Sequence, residues 1–193
     1  MKYTFDWKEY ANKAREAVAE GCVLLQNENN VLPIKSDEMV SVFGRSQFNY
    51  FKSGMGSGGM VNVPYEVSIS DALKEAGIKT NQNLHAIYEE WLKDHPFDVG
   101  KGWANEPWCQ EEMELTEEIV ADAAAQSNMA LVLLGRTAGE DKDNFAGEGS
   151  YLLAEKEELM LKLVCAAFKR VAVVLNVGNI IDMKFVEKYH PQA

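Results

Sequence analysis

Met129-Ala130-Leu131-Val132-Leu133-Leu134-Gly135 is an unbroken stretch without a polar side chain. A strand with one wet face alternates apolar and polar residues. An apolar run without alternation belongs to a strand covered on both faces, and such strands make up parallel sheets flanked by helices. Met39-Val40-Ser41-Val42-Phe43, stopped by Gly44, and Val171-Ala172-Val173-Val174-Leu175-Asn176 read the same way.

Helical signals separate these runs. Asp6 caps a helix with an apolar face through Tyr10, Ala14, Ala17 and Val18, and Gly21 stands where a left-handed C-cap belongs. Val23-Leu24-Leu25 reads as a short extended piece. Ser68 or Ser70 caps a helix through Ala76, and a second runs from about Asn81 to Lys93. Thr116 caps a third, with Glu117 and Glu118 in the dipole-favoured first turn. A fourth spans Glu155 to Phe168 and a last one Ile181 to Tyr189. Strands and helices in this alternation predict an α/β fold, a three-layer α/β/α sandwich around a mainly parallel sheet. The 193 residues suit one domain, 1–193, with a full core. The helix ending at Tyr189 points on to another strand, so the sheet is expected to lack its last strand or strands, as in a fragment.

Net charge is −11, from 19 Lys and Arg against 30 Asp and Glu. Such a field repels phosphate backbones and anionic membrane surfaces, which argues against nucleic-acid and membrane partners. No run approaches the ~18 apolar residues of a membrane span. Residues Met1 to Trp7 enter the first helix without the apolar core of a secretory signal, and the expected location is cytoplasmic. The three cysteines lack CxxC spacing, and Cys22 and Cys165 sit in apolar runs, so they read as buried free thiols. His85, His95 and His190 have no partners at metal-ligand spacing. Neither metal nor cofactor is expected.

Gly54-Met55-Gly56-Ser57-Gly58-Gly59 matches GxGxxG, but the nearest strand ends at Phe43 and the residues after it, Met60 to Pro64, read as extended, so the dinucleotide context fails. Nucleotide regulation through this match is the weakest alternative, and a glycine-rich loop at a site rim is the preferred reading. The loop from Arg136 to Asn144 is different. It gathers ionisable groups at the C-terminal end of the central strand, the edge where open α/β sheets bind ligands. Asn176-Val177-Gly178-Asn179 follows the next strand and borders the same edge.

Residues Ala14 to Pro33, with Glu20-Gly21-Cys22-Val23-Leu24-Leu25-Gln26-Asn27-Glu28, resemble the opening of the sandwich domain of glycoside hydrolase family 3. So do Ser53 to Gly59, Gly135 to Asp143, Gly149 to Leu153, and Val173 to Asn179, in one order over nearly the whole chain. The resemblance implies a retaining β-glucosidase acting on terminal β-D-glucosyl residues, in which a (β/α)8 barrel holds an aspartate nucleophile and the sandwich supplies the acid/base from a Gly-Glu loop. Glu140 matches that position; the family's usual Gly-Tyr-Asp-Arg continuation is here Asp141-Lys142-Asp143. Arg136, Asp143 and Ser57 become the substrate-binding candidates on the aglycone side. Retaining hydrolysis needs two carboxyl groups ~5 Å apart, and the resemblance supplies one.

The sandwich at the start of the chain resembles the subgroup with reversed domain order, so the barrel of the same polypeptide is expected after Ala193. It is the expected partner, with a β-glucoside or oligosaccharide as substrate and a homo-oligomer as a further state; β-xyloside specificity also occurs in the family. The alternative is a stand-alone carbohydrate-binding or assembly domain using Trp103, Trp108 and Trp91 as stacking faces.

Overall fold

The computed structural model describes residues 4–59, 61–140 and 142–193. Four strands, β1 (Met39–Phe43), β2 (Lys79–Thr80), β3 (Met129–Arg136) and β4 (Val171–Val177), form one sheet in the order β2-β1-β3-β4. Every pairing is parallel, with Val40 opposite Met129 and Ala130 opposite Val171. β3 is buried along its full length, as its unbroken apolar run requires. Among the described residues the α-helices are α1 (Trp7–Gly21), α2 (Ile69–Glu75), α3 (Gln82–Asp94), α4 (Glu117–Gln126), α5 (Glu155–Ala167) and α6 (Lys184–Tyr189).

The pleat sends alternate side chains to two cores. Phe43, Ala130, Val132 and Leu134 face Leu84 and Tyr88 of α3, Val120 of α4, Met160 and Val164 of α5, and Phe185 of α6. Val40, Val42, Met129, Leu131 and Leu133 face the other way, onto Ile69 and Leu73 of α2, the segment Leu32 to Ile34, and Ala193. The chain is thus a three-layer α/β sandwich with a lopsided second face, one short helix and an extended segment.

Capping side chains fix where the helices begin. Asp6 accepts from the N–H groups of Lys8 and Glu9 at 2.9 and 3.0 Å. Ser68 and Asp71 close a reciprocal capping box, and Asn81 and Thr116 cap α3 and α4.

Several local expectations are corrected. Gly21 is the last residue of α1 rather than a left-handed cap, and the C-cap, Cys22, is extended. Cys22 is exposed, and Cys109 and Cys165 are only partly buried. α6 starts at Lys184, its first turn held by the Asp182 carboxylate at 3.1 Å. Beside β4, the N–H groups of Gln192 and Ala193 donate to Val171 O at 2.9 and 3.3 Å, and Val173 N–H donates to Ala193 O at 2.6 Å, as in a parallel ladder.

One buried acid sits where β1 leaves the sheet. Glu112 is 6% exposed and accepts from the backbone N–H groups of Arg45 and Met113 at 2.9 and 2.8 Å. Arg45 donates to Glu111 O, Asn49 Oδ1 and His95 O, and lies over the Trp91 ring. Burial lifts the Glu112 carboxyl from 4.5 to about 7 against these two donors. Between those values the folded chain keeps a proton that the unfolded chain has released. Stability from this group is therefore full below pH ~4.5 and falls as pH rises to ~7, by on the order of 3 kcal/mol. Glu112→Gln loses one acceptor at every pH but removes the ionisation. Urea unfolding at about pH 5 and about pH 8 is expected to show a smaller stability difference in the variant than in the parent; an equal difference would refute the assignment.

Candidate functional site

In this strand order, β1 and β3 are neighbours whose next connections lead to opposite faces. β1 runs on to α2 on one face, and β3 runs on to α5 on the other. The crevice between their C-terminal ends is the topological switch point, where open α/β sheets hold ligands. The glycine-rich loop 44–59 and the loop 137–144 meet there.

Backbone contacts lock the two loops together. Met55 N–H donates to Ala138 O at 2.7 Å, Met55 and Gly139 form a parallel bridge, and Gly139 pairs antiparallel with Lys142, so Glu140 stands at the tip of a tight turn. Asp141, next in sequence, lies outside the described residues. A Cβ on Gly139 would come within 2.5 Å of Met55 N, and one on Gly56, at φ +79°, within 2.9 Å of Glu140 Oε2. Both glycines are needed for this approach. The third loop joins through Asn176, whose side chain accepts from Phe51 N–H at 2.7 Å and donates to Phe51 O at 3.1 Å. Gly178 N–H donates to Arg136 O at 3.1 Å.

Ser57 and Glu140 are brought together, with the Ser57 hydroxyl donating to Glu140 Oε2 at 3.4 Å, and both are exposed. Asp143 is exposed on the same loop. Beside them opens a cavity of about 520 Å³, lined by residues that include Phe51, Gly56, Phe97, Trp103, Glu106 and Thr137. Trp103 is 49% exposed, and its ring edge lies 3.4 Å from the position that a Gly56 Cβ would take. Among the described residues, Glu106 Oε2 has no hydrogen-bond partner. The Lys142 ammonium reaches Glu106 O and lies over the Trp108 ring. Of the three candidate stacking tryptophans, Trp103 lines the cavity, whereas Trp91, on α3, stacks on His95 at 4.3 Å and Trp108 is partly buried. Phe51, Phe97 and Glu106 carry no local signal in the sequence, because only the fold brings 50–59 and 97–106 together.

Arg136 is the correction at this site. Expected to meet substrate, it is 1% exposed and spends all five of its N–H donors inside the protein. Two go to the Glu157 carboxylate at 2.6 Å each, and the others to Ser150 O, Gly135 O and Leu152 O at 3.0, 2.8 and 3.3 Å. None remains for a ligand. Glu157, 4% exposed, also accepts from Ala154 N–H at 2.8 Å and so caps α5.

Among the described residues no group of His, Cys, Asp and Glu is arranged to hold a metal ion, and no helix is long and apolar enough to cross a membrane. The groups gathered at the switch point suit proton transfer by a carboxyl beside an aromatic-walled cavity, of the size and lining of small-molecule sites.

A family model described as the glycosyl hydrolase family 3 C-terminal domain matches residues 22–193. A β-glucosidase of Ruminococcus albus is 50% identical over 188 residues, which cover 97% of this chain and 20% of that protein. β-Glucosidase A of Butyrivibrio fibrisolvens is 33% identical over 198 residues, covering 90% of this chain and 23% of that protein. The crystal structure of a β-glucosidase from Paenibacillus barengoltzii superposes with a TM-score of 0.92 at 52% identity, over 95% of this chain and 20% of that one. β-Glucosidase 3B of Thermotoga neapolitana, solved in complex with α-D-glucose, gives 0.83 at 29% identity, over 95% of this chain and 26% of that one. The chain thus spans about a fifth of the curated relatives' length.

Removing one member of a buried ion pair leaves the other charged and unpaired, at a cost of about 3–5 kcal/mol. Arg136→Met is expected to lower the unfolding free energy by that amount in urea titrations; a loss below about 1 kcal/mol would mean that the pair is not what holds this edge.

Proposed function

The chain belongs to glycosyl hydrolase family 3, as its C-terminal domain, and from that premise we propose that it is the acid/base domain of a retaining β-glucosidase, with Glu140 as the proton donor and acceptor. The observation that carries this reading is the position of Glu140. It projects at the switch point of the sheet, on a turn bridged to Met55, with a serine hydroxyl on its carboxylate and a half-exposed indole close by.

In a retaining mechanism one carboxylate attacks the anomeric carbon while a carboxylic acid protonates the departing oxygen; the same group then takes a proton from the water that releases the sugar. Glu140 fits the second role. It stands on a loop held rigidly by backbone bonds, reaches outward, and borders a cavity that offers an aromatic wall to the group being expelled. The nucleophile is proposed to come from the rest of a longer polypeptide, as the relatives' fivefold greater length allows. The substrate proposed is a β-glucoside. The carboxylates of Glu106 and Asp143 and the hydroxyl of Ser57 are available to hydroxyl groups on the aglycone side.

In a family-length enzyme carrying this domain, Glu140→Gln is expected to lower turnover by about 10²–10⁴ on substrates whose leaving group needs a proton. The loss should be smaller on an activated aryl glucoside such as the dinitrophenyl compound, whose leaving group departs unprotonated. Equal losses on both would assign Glu140 to something other than proton transfer. Undiminished turnover would remove it from the site.

A further inference from the structure

α1 carries an apolar stripe that nothing among the described residues buries. Trp7, Tyr10, Ala11, Ala14, Ala17 and Val18 recur at helical spacing along its fifteen residues, and the helix has no buried residue. Trp7, Tyr10 and Val18 are 68, 56 and 63% exposed, and Val23, Leu24 and Leu25, just beyond the helix, are 76, 63 and 71% exposed. Phe5 packs on this cluster, its ring 4.8 Å from Trp7 and 5.2 Å from Tyr10. A helix of this length is marginal in water unless its apolar face packs on something, and a patch this continuous marks an interface.

The domain model starts at residue 22, so α1 stands outside the part that the family's C-terminal domain defines. Yet at least part of α1 is matched in longer enzymes. The Ruminococcus albus relative leaves about six residues of this chain unmatched and the Paenibacillus barengoltzii structure about ten, both fewer than the fifteen of α1. A helix matched at least in part in proteins five times as long has four-fifths of another polypeptide available to meet its face.

We infer that the α1 stripe and Val23 to Leu25 form an interdomain docking surface, occupied by the remaining part of a family-length β-glucosidase polypeptide. This rests on the proposed function, because it takes the chain to work within a larger enzyme. The contact is apolar and aromatic at its centre, with Lys13 and Arg15 of α1 flanking it on either side by helical spacing, the composition of a lasting rather than a transient interface. It serves to clamp the acid/base domain against the body that carries the other carboxylate.

Cys22 lies between α1 and the exposed leucines and is itself exposed and free, so it reports on this surface. Burial pushes the thiols of Cys109 and Cys165 up to about 11, which makes them slow to react. The test grafts this chain in place of the matched fifth of the Ruminococcus albus enzyme and compares Cys22 alkylation, by mass spectrometry, in the graft and in the 193-residue chain. Labelling is expected to be at least roughly tenfold slower in the graft. Val18→Glu with Leu24→Glu should restore the fast rate there, yet leave the melting temperature of the 193-residue chain unchanged, since neither residue is buried in it. Equal rates in graft and chain overturn the inference. So does protection that grows with concentration in the chain alone, which would put a second copy on the face. If the graft does not fold, a cysteine at the aligned position of the unmodified relative gives the same readout, with the same outcomes. The readout does not depend on turnover: protection with a Glu140→Gln enzyme still fully active would sink the acid/base assignment and leave this surface standing.

Discussion

The candidate site depends on one ion pair buried almost completely from solvent. Arg136 ends β3, and its guanidinium is gripped on all sides, by Glu157 through two 2.6 Å bonds and by three carbonyls. A buried charge is tolerable only when paired and hydrogen-bonded to this degree. The arrangement ties together the end of the central strand, the 150–152 turn and the first turn of α5, so the residues that follow, Thr137 to Glu140, leave the sheet from a fixed point. Glu140 can be exposed and still well positioned because the residue four places before it is immobile.

Rigidity then spreads sideways through backbone. Asn176 brackets both polar groups of Phe51, Met55 bridges to Gly139, and Gly178 donates to Arg136 O. Loops are ordinarily the mobile part of an α/β sheet. Here the three that leave β1, β3 and β4 are hydrogen-bonded to one another, which presents a carboxyl group without the entropy of a swinging arm. Glycine at 56 and 139 is the condition for the loops to approach this closely.

How much of this was legible follows from what each feature depends on. β1 and β3 could be read because a strand buried on both faces must be apolar throughout, β4 carries the same kind of run although only Val171 and Ala172 are buried in it, and the caps Asp6, Ser68 and Thr116 could be read because capping is local chemistry. β2, two residues long, has no pattern to read, and its existence depends on β1 as a template. Arg136 was legible as a charged residue at a functional edge but not as a structural one, since its partner lies 21 residues away and only the fold decides which way the guanidinium points. The cavity wall was hidden for the same reason. Cys22 was misread because an apolar run in a sequence says that burial is wanted somewhere; whether this domain supplies it is a separate matter.

That last distinction links the exposed helix to the exposed acid. The segment after α1 is tied to the far edge of the sheet, where Glu28 N–H donates to Gln192 O and Gln26 Nε2 to Pro191 O, next to the start of β4 at Val171. Glu140 lies beyond the other end of the strands, about 20 Å away at ~3.3 Å per residue over the length of β4. The apolar stripe is therefore rooted away from the carboxylate. If one body covers the stripe and also faces Glu140, it must lie along the side of the sandwich and touch it at separated places. Two separated contacts fix orientation far better than one, and a retaining pair must hold its carboxyl groups at a set separation through both chemical steps. An apolar anchor remote from the chemistry would allow the site to remain open to substrate without letting the two carboxylates drift apart.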